Sequence, residues 1–187
     1  MSDMRYEDER FSLSGLTRAL LVGAHLIPCE RDLCLEHLKE LAALCDTYGF
    51  EAIGAIPCSI KSIDVRTYIG SGKVAEIAER ESDLVIFDEE LSPVQQRNLE
   101  KALGRPVIDR TELILEVFAK RAQTKEAQLQ IELATRRYQL PRLTRLWTHL
   151  GRQTGTSGGK GAYLKGAGEQ QIELDRRAIR KRVTQLR

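Results

Sequence analysis

The chain has 187 residues, of which 42% are hydrophobic and 30% charged, a composition that supports a packed core and excludes wholesale disorder. The net charge of +2 conceals an asymmetry, because residues 120–187 contain 16 Lys/Arg and 5 Asp/Glu, a balance of +11, whereas residues 1–119 contain 13 and 22, a balance of −9. No apolar run approaches the about 20 residues that a membrane-spanning helix needs, so we expect no membrane span.

The N-terminal part of the chain alternates between strand and helix patterns. Segment 1–15 is polar and lacks the apolar core of a signal peptide, and we expect a flexible lead-in there. Strands are predicted at Arg18–Gly23, Phe50–Ile56, Asp83–Phe87 and Pro106–Asp109, and helices at Arg31–Tyr48, about 74–80 and Pro93–Leu103. Because short apolar strands that alternate with helices are typical of a parallel sheet, we predict an α/β domain over residues 16–110.

The cysteines and histidines give no sign of a metal site. The chain has Cys29, Cys34, Cys45 and Cys58, without a Cys-x-x-Cys pair. Cys34 and Cys45 share one face of the first helix with two leucines, which predicts core thiols rather than a disulfide or a zinc site. The three histidines are too scattered to form a metal site or a nucleophile–base pair. We therefore expect no metal and a reducing, cytoplasmic location.

From Thr111 to Leu150 the pattern predicts one long helix, kinked at Pro141. Residues recur in steps of four and three, as in a coiled-coil seam, at Leu129, Leu133, Arg136, Leu140, Leu143, Trp147 and Leu150, and Arg136 is the single residue among them that is not apolar. A second seam runs from Ile172 to Leu186. Two such helices bury both seams by folding back on each other, so we predict a long antiparallel helical hairpin over residues 111–187, coiled-coil-like, with a glycine-rich basic loop at 151–168.

The outer face of this hairpin is predicted to bind RNA. The 36 residues from Leu133 to Gly168 contain seven Lys/Arg and no acidic residue. Positive charge combined with glycines, which let a backbone approach closely, suits a dense polyanion. The expected RNA contacts are Arg142, Arg145, Arg152, Gly158, Gly159, Lys160, Lys165, Gly166 and Gly168. A solvated helix surface and a self-associating coiled coil are the alternatives, although solvated helices normally mix charge signs.

Two other stretches raise the question of small-ligand chemistry. Gly70, Gly72 and Lys73 form a glycine turn before a helix, where an anion can bind, but the spacing and the hydroxyl residue of a Walker loop are missing. An ATP- or GTP-binding α/β domain that uses this turn is therefore the alternative function. Asp88, Glu89 and Glu90 follow a strand end, where α/β proteins often keep catalytic carboxylates. Without a paired His or Lys motif, we expect a solvated loop there.

Many stretches of the chain resemble the N-terminal region of the HflX family of ribosome-associated GTPases. They are Tyr68–Val74, Phe87–Pro93, Gln95–Glu100, Val107–Thr111, Lys120–Ala122, Thr124–Ala127, Tyr138–Leu143, Trp147, Gly166–Glu169 and Ile172–Arg177. The resemblance runs from Ala19 to the end of the chain. It implies a small α/β domain followed by a helical hairpin and, in full-length members, by a GTPase domain.

The resemblance also implies a function. It implies binding to the large ribosomal subunit and its rRNA, with the hairpin loop directed at the peptidyl-transferase region, in ribosome splitting or rescue. GTP and Mg²⁺ belong to the family's GTPase domain, and this sequence has neither Gly-x-x-x-x-Gly-Lys-Ser/Thr nor Asn-Lys-x-Asp. We therefore expect a monomer that holds no cofactor and does not hydrolyse GTP alone. The loop departs from the family in its length and in Ala167, which replaces a proline.

Overall fold

The computed structural model describes residues 15–26, 30–153, 177, 181 and 184, and for residues 143–153 it describes the backbone only. This part of the chain forms four strands and five helices. The strands are β1 (Arg18–His25), β2 (Glu51–Ser59), β3 (Leu84–Phe87) and β4 (Val107–Asp109). The helices are α1 (Arg31–Tyr48), α2 (Ser71–Ala78), α3 (Pro93–Leu103), α4 (Arg110–Arg121) and α5 (Lys125–Gln153).

The strands form one parallel sheet in the order β2-β1-β3-β4. Helices α2 and α3 cover one face, and α1 with α4 covers the other. The strands alternate between the two cores, with Leu20, Val22, Val85 and Phe87 in the first and Ala19, Leu21, Leu84 and Ile86 in the second. The α/β class and the parallel sheet predicted from the sequence are confirmed. Cys34 and Cys45 are buried in the second core, as their spacing predicted.

Local sequence signals set the ends of two helices. Gly49 follows α1 with φ of 108°, a left-handed conformation that glycine adopts without strain. Ser92 precedes α3, where its hydroxyl accepts the Gln95 N–H and the Gln95 side chain accepts the Ser92 N–H, and Pro93 occupies the first turn. Both helices have the predicted bounds because the signals that fix them lie within a few residues of each other.

Strand β2 is longer than predicted and continues through Pro57 to Ser59. It lies at one edge of the sheet and, among the residues that the structure describes, pairs with β1 alone. The Ile60 N–H donates to the His25 carbonyl of β1 at 2.9 Å. Because donors alternate along a strand, the nitrogen of Pro57 faces away from β1, and the proline removes no hydrogen bond from the sheet.

The predicted continuous helix from Thr111 to Leu150 is wrong, because residues 122–124 separate α4 from α5. The Thr124 hydroxyl accepts the Ala127 N–H at 3.2 Å, and its carbonyl accepts the Gln128 N–H at 3.0 Å. Thr124 therefore acts as the N-cap that begins a new helix. Pro141 lies inside α5, which continues to Gln153.

The chain divides into two compact units, residues 1–117 and 118–187. The first includes the predicted α/β domain. The predicted loop 151–168 begins inside α5, and its remainder lies outside the described residues, as does almost all of the return limb; the hairpin therefore stays a prediction. The lead-in 1–15 also lies outside them, except for Gly15. No helix in the described ranges has the length and apolar character needed to cross a membrane.

Arg105, between α3 and β4, closes the C-terminal end of α2. Its Nη2 donates to the Ile77 carbonyl at 2.6 Å, and its Nη1 donates to the Arg80 carbonyl. Arg105→Ala would remove both of these hydrogen bonds, although the Ile77 carbonyl keeps the Arg80 N–H at 3.1 Å. We expect a loss of about 1–3 kcal/mol in the free energy of unfolding. Lys39→Ala, at an exposed position on α1, should change it by less than about 0.5 kcal/mol. Urea unfolding compares the two, and equal effects would contradict the capping role.

Candidate functional site

The predicted glycine turn exists and begins α2. Gly70 is the N-cap, in an extended conformation, and no side chain caps the helix. A Cβ atom added at Gly70 or Gly72 would meet nothing within 4 Å, so this backbone is openly accessible. The Lys73 Nζ lies 2.7 Å from Glu76 Oε2, and this hydrogen bond raises the pKa of Lys73. The lysine is therefore held by a carboxylate of its own helix.

A cavity of about 710 Å³ opens in front of this turn. Its lining consists of Ser59–Arg66, Gly70, Gly72 and Lys73. Lys61, Arg66 and Lys73 give this lining three cations, against one acid, Asp64. The volume lies in the range of small-molecule sites, and the charge suits an anion.

Helix α3 holds the loop that forms one wall of the cavity. The Gln95 Nε2 donates to the Asp64 carbonyl at 2.8 Å, and the Asn98 Nδ2 donates to the Arg66 carbonyl at 2.9 Å. Asp64 Oδ1 in turn accepts the Arg66 N–H at 2.6 Å, so its charge is directed into the loop itself. Lys61 and Arg66 were not among the residues predicted from the sequence to bind a ligand. The polar stretch Gln95–Glu100 could have indicated this loop, because its Gln95 and Asn98 side chains donate hydrogen bonds to the loop backbone.

At the carboxyl edge of the sheet, Asp88 follows β3 and joins two helices. Its Oδ1 accepts Arg110 Nη1 of α4 at 2.9 Å, and its Oδ2 lies 3.3 Å from His37 Nδ1 of α1. Arg110 Nη2 also donates to Glu40 Oε2 of α1 at 2.9 Å. This hydrogen bond lowers the pKa of Glu40, which is mostly exposed. Asp88 is therefore paired with a histidine, His37 of α1, which could not be identified as its partner from the sequence.

The prediction of a solvated loop is wrong for Asp88, whose side chain is 10% exposed, and for Glu89. Its Oε1 accepts the Ala24 N–H at 2.5 Å, and its Oε2 is buried without a hydrogen-bond partner in the part of the chain that the structure describes. Burial raises the pKa of this carboxyl group to about 7. Glu90, the next residue, is exposed as expected. The direction of a side chain after a strand end depends on the neighbouring strand, which the local sequence does not contain.

The structure describes only part of the outer face of α5, where Arg142, Arg145 and Arg152 were predicted to contact RNA. Arg142 was expected on the exposed outer face, but it is 6% exposed, and this part of the prediction is wrong. Its guanidinium lies 3.4 Å from the centre of the Tyr138 ring and donates to the Tyr138 carbonyl at 3.1 Å. A cation over an aromatic face is stabilised by the charge distribution of the ring. Arg142 is thus packed against a tyrosine of its own helix.

The other predicted RNA contacts cannot be placed in the same way. Arg145 and Arg152 are residues of α5, but the structure describes only their backbone atoms. Gly158, Gly159, Lys160, Lys165, Gly166 and Gly168 also lie outside it. Their role stays a prediction. Across the described ranges, no three His, Cys, Asp or Glu residues are grouped as a metal site.

The chain matches two family profiles in succession. Residues 35–119 match the family described as "GTP-binding GTPase N-terminal". Residues 121–187 match the family described as "GTP-binding GTPase Middle Region". The change from one profile to the next falls at the end of α4, close to the break before α5.

Curated relatives and solved structures agree with these matches. The chain is 47% identical over 175 residues to the GTPase HflX of Chlamydia pneumoniae, covering 91% of this chain and 37% of that protein. It is 45% identical over 160 residues to the GTPase HflX of Escherichia coli K12, covering 83% and 36%. A GTP-binding protein of Sulfolobus solfataricus in complex with GDP is similar in structure, with a TM-score of 0.57, 25% identity, and coverage of 91% of this chain and 46% of that chain. The chain thus spans less than half of each of these proteins, and it belongs to the HflX family, whose N-terminal and middle regions it matches.

Proposed function

We propose that this chain is the ribosome-recognition part of an HflX-like GTPase. It binds the large ribosomal subunit through ribosomal RNA, and its basic, glycine-rich segment 151–168 is directed at the peptidyl-transferase region. In the full-length protein this contact supports ribosome splitting or rescue in the cytoplasm. The GTPase domain, with its GTP and Mg²⁺, supplies the hydrolytic chemistry, and this chain acts as a monomer without a cofactor of its own.

One observation carries this proposal. The 36 residues from Leu133 to Gly168 contain seven Lys/Arg and no Asp/Glu. A polyanion that meets such a segment releases bound counterions, which makes the affinity high and strongly dependent on salt.

Co-sedimentation with isolated large ribosomal subunits at several salt concentrations tests the proposal. We expect binding at low salt and a straight log–log decline of the association constant, with a slope of about −0.7 to −0.9 for each phosphate contacted. Small ribosomal subunits and a chain that ends at residue 117 are the controls, because the second lacks the basic unit. Equal binding of the two subunits, or undiminished binding by the shortened chain, would contradict the proposal.

A nucleotide-binding α/β unit is the second candidate, and the cavity in front of α2 favours it. Lys61, Arg66 and Lys73 line this cavity of about 710 Å³. The first turn of α2, which faces it, contains no acidic residue. Calorimetry with ATP and with GTP tests this function. If it holds, Lys73→Ala should weaken binding by about tenfold or more, as expected for the loss of one charge-assisted hydrogen bond. Lys39→Ala should leave the affinity unchanged, and absence of binding by the wild type would exclude the site.

A further inference from the structure

Glu89 occupies a position where the sheet lacks a strand partner. Strand β3 ends at Phe87, whereas its neighbour β1 continues to His25. The Asp88 N–H still donates to the Val22 carbonyl at 2.9 Å. The next donor of β1 on that side, the Ala24 N–H, lies beyond the end of β3, and Glu89 Oε1 accepts it at 2.5 Å. A side chain 65 residues away thus replaces the missing strand carbonyl.

The second carboxyl oxygen of Glu89 has no such role. Oε2 is buried and has no hydrogen-bond partner among the residues that the structure describes. Hydrogen bonds from the backbone N–H groups of Ala24 and of Glu89 itself lower the pKa of this carboxyl group, but its burial raises that pKa by more. A neutral carboxyl group in the same place loses less hydration than a carboxylate. The Ala24 N–H can donate to either form. The arrangement seen here therefore suits the neutral form better than the ionised one.

Titratable groups on several elements interact electrostatically with this carboxyl group. They are Cys34 and His37 in α1, Cys58 in β2, Tyr68 before α2 and Asp88 beside it. The Lys73–Glu76 pair in α2 interacts with Cys58, and Arg110 in α4 with Asp88. Burial raises the pKa of the Cys34 and Cys58 thiols to about 11 and also raises the pKa of Tyr68, so these groups stay neutral near pH 7. Asp88 is held between Arg110 and His37.

We infer that Glu89 is a proton-dependent latch on the carboxyl end of β1. Its neutral carboxyl group lies under the sheet edge and holds the Ala24 N–H, whereas its ionised carboxylate turns out to water and releases that N–H. The carboxyl end of β1 thereby loses one hydrogen bond as the pH rises through neutrality. The burial of Glu89, which raises the pKa of its carboxyl group to about 7, places this change within the physiological range.

Amide hydrogen exchange of the Ala24 N–H, measured by NMR on the 187-residue chain, tests the latch. After correction for the intrinsic exchange rate, its protection factor should fall about tenfold between pH 6 and pH 8, because the ionised fraction of a group with a pKa near 7 rises through that interval. In Glu89→Gln, which cannot ionise, the protection factor should stay constant. Loss of protection in the variant equal to that in the wild type, or none in either, overturns the inference.

Two further measurements make the test specific. The Arg18 N–H is held by Asp83 Oδ2 at 2.8 Å, and hydrogen bonds from Arg18 and Thr17 lower the pKa of Asp83, so its protection should not change in this interval. Because histidines change charge near neutrality, the Ala24 response must also persist in His37→Gln. The carboxyl carbon of Glu89 in the wild type should titrate by ¹³C NMR with a midpoint near 7. A midpoint near 4.5 would overturn the latch even if the glutamine variant failed to fold.

Discussion

Replacing Glu89 by glutamine is expected to make the α/β unit progressively more stable than the wild type as the pH rises. The folded-state pKa of Glu89 is raised from 4.5 to about 7. The folded wild type therefore binds more protons than the unfolded chain between these values, and it loses stability as the pH rises. The difference in free energy of unfolding between variant and wild type should grow by about 2 kcal/mol from pH 5 to pH 8.

Urea unfolding at several pH values, followed through the NMR signals of β3, measures this difference in the unit to which Glu89 belongs. Glu90→Gln is the matched control, because Glu90 is the exposed neighbour in the same turn, and its difference from the wild type should stay constant with pH. Glu116 is also buried enough for its pKa to be raised, but it is present in all three proteins and cancels. A constant difference for Glu89→Gln would show that its carboxyl group ionises normally.

Replacing Arg152, Lys160 and Lys165 together by alanine is expected to weaken binding to large ribosomal subunits and to make it less dependent on salt. If each side chain meets one phosphate, the log–log slope should become shallower by about two to three units. Because these charges lie in the predicted loop 151–168, we expect the stability of the fold to change by less than about 1 kcal/mol. Co-sedimentation from about 50 to 200 mM salt measures both the affinity and the slope.

A triple variant with the same loss of charge separates local contact from overall electrostatics. Arg31, Lys39 and Lys101 are exposed positions of the first compact unit. Their replacement by alanine should leave the salt slope nearly unchanged. Should both triple variants lose the same number of slope units, general attraction would account for binding. An unchanged slope in the loop variant would show that the basic segment is a solvated surface that does not contact RNA.

The sequence was sufficient wherever a structure is fixed by neighbours in the chain. Gly49 and the Ser92–Gln95 capping box end and begin their helices through contacts within about one turn, so α1 and α3 could be predicted to the residue. Thr124 carries the same kind of signal. Its weight was underestimated, because the predicted seam begins only at Leu129, after the break, and required no continuous helix before that residue.

The surroundings of the candidate sites could not be predicted in this way. The burial of Glu89 depends on β1 continuing past the end of β3, and His37 meets Asp88 across 51 positions of sequence. The positions of Lys61 and Arg66 depend on hydrogen bonds that Gln95 and Asn98 donate to their loop from a distant helix. Hydrogen bonds between distant segments leave no periodic signal in a single sequence, so they require the fold itself.

Strand β2 has a consequence for how the protein behaves at high concentration. An outermost strand of nine residues would ordinarily be a template on which a foreign strand, or another molecule's sheet, could add by backbone hydrogen bonding. The nitrogen of Pro57 faces that open side and cannot donate, so an incoming strand would lose a hydrogen bond and meet the proline ring two residues before β2 ends. Pro57, which removes no hydrogen bond between β2 and β1, thus disfavours aggregation through this edge of the sheet.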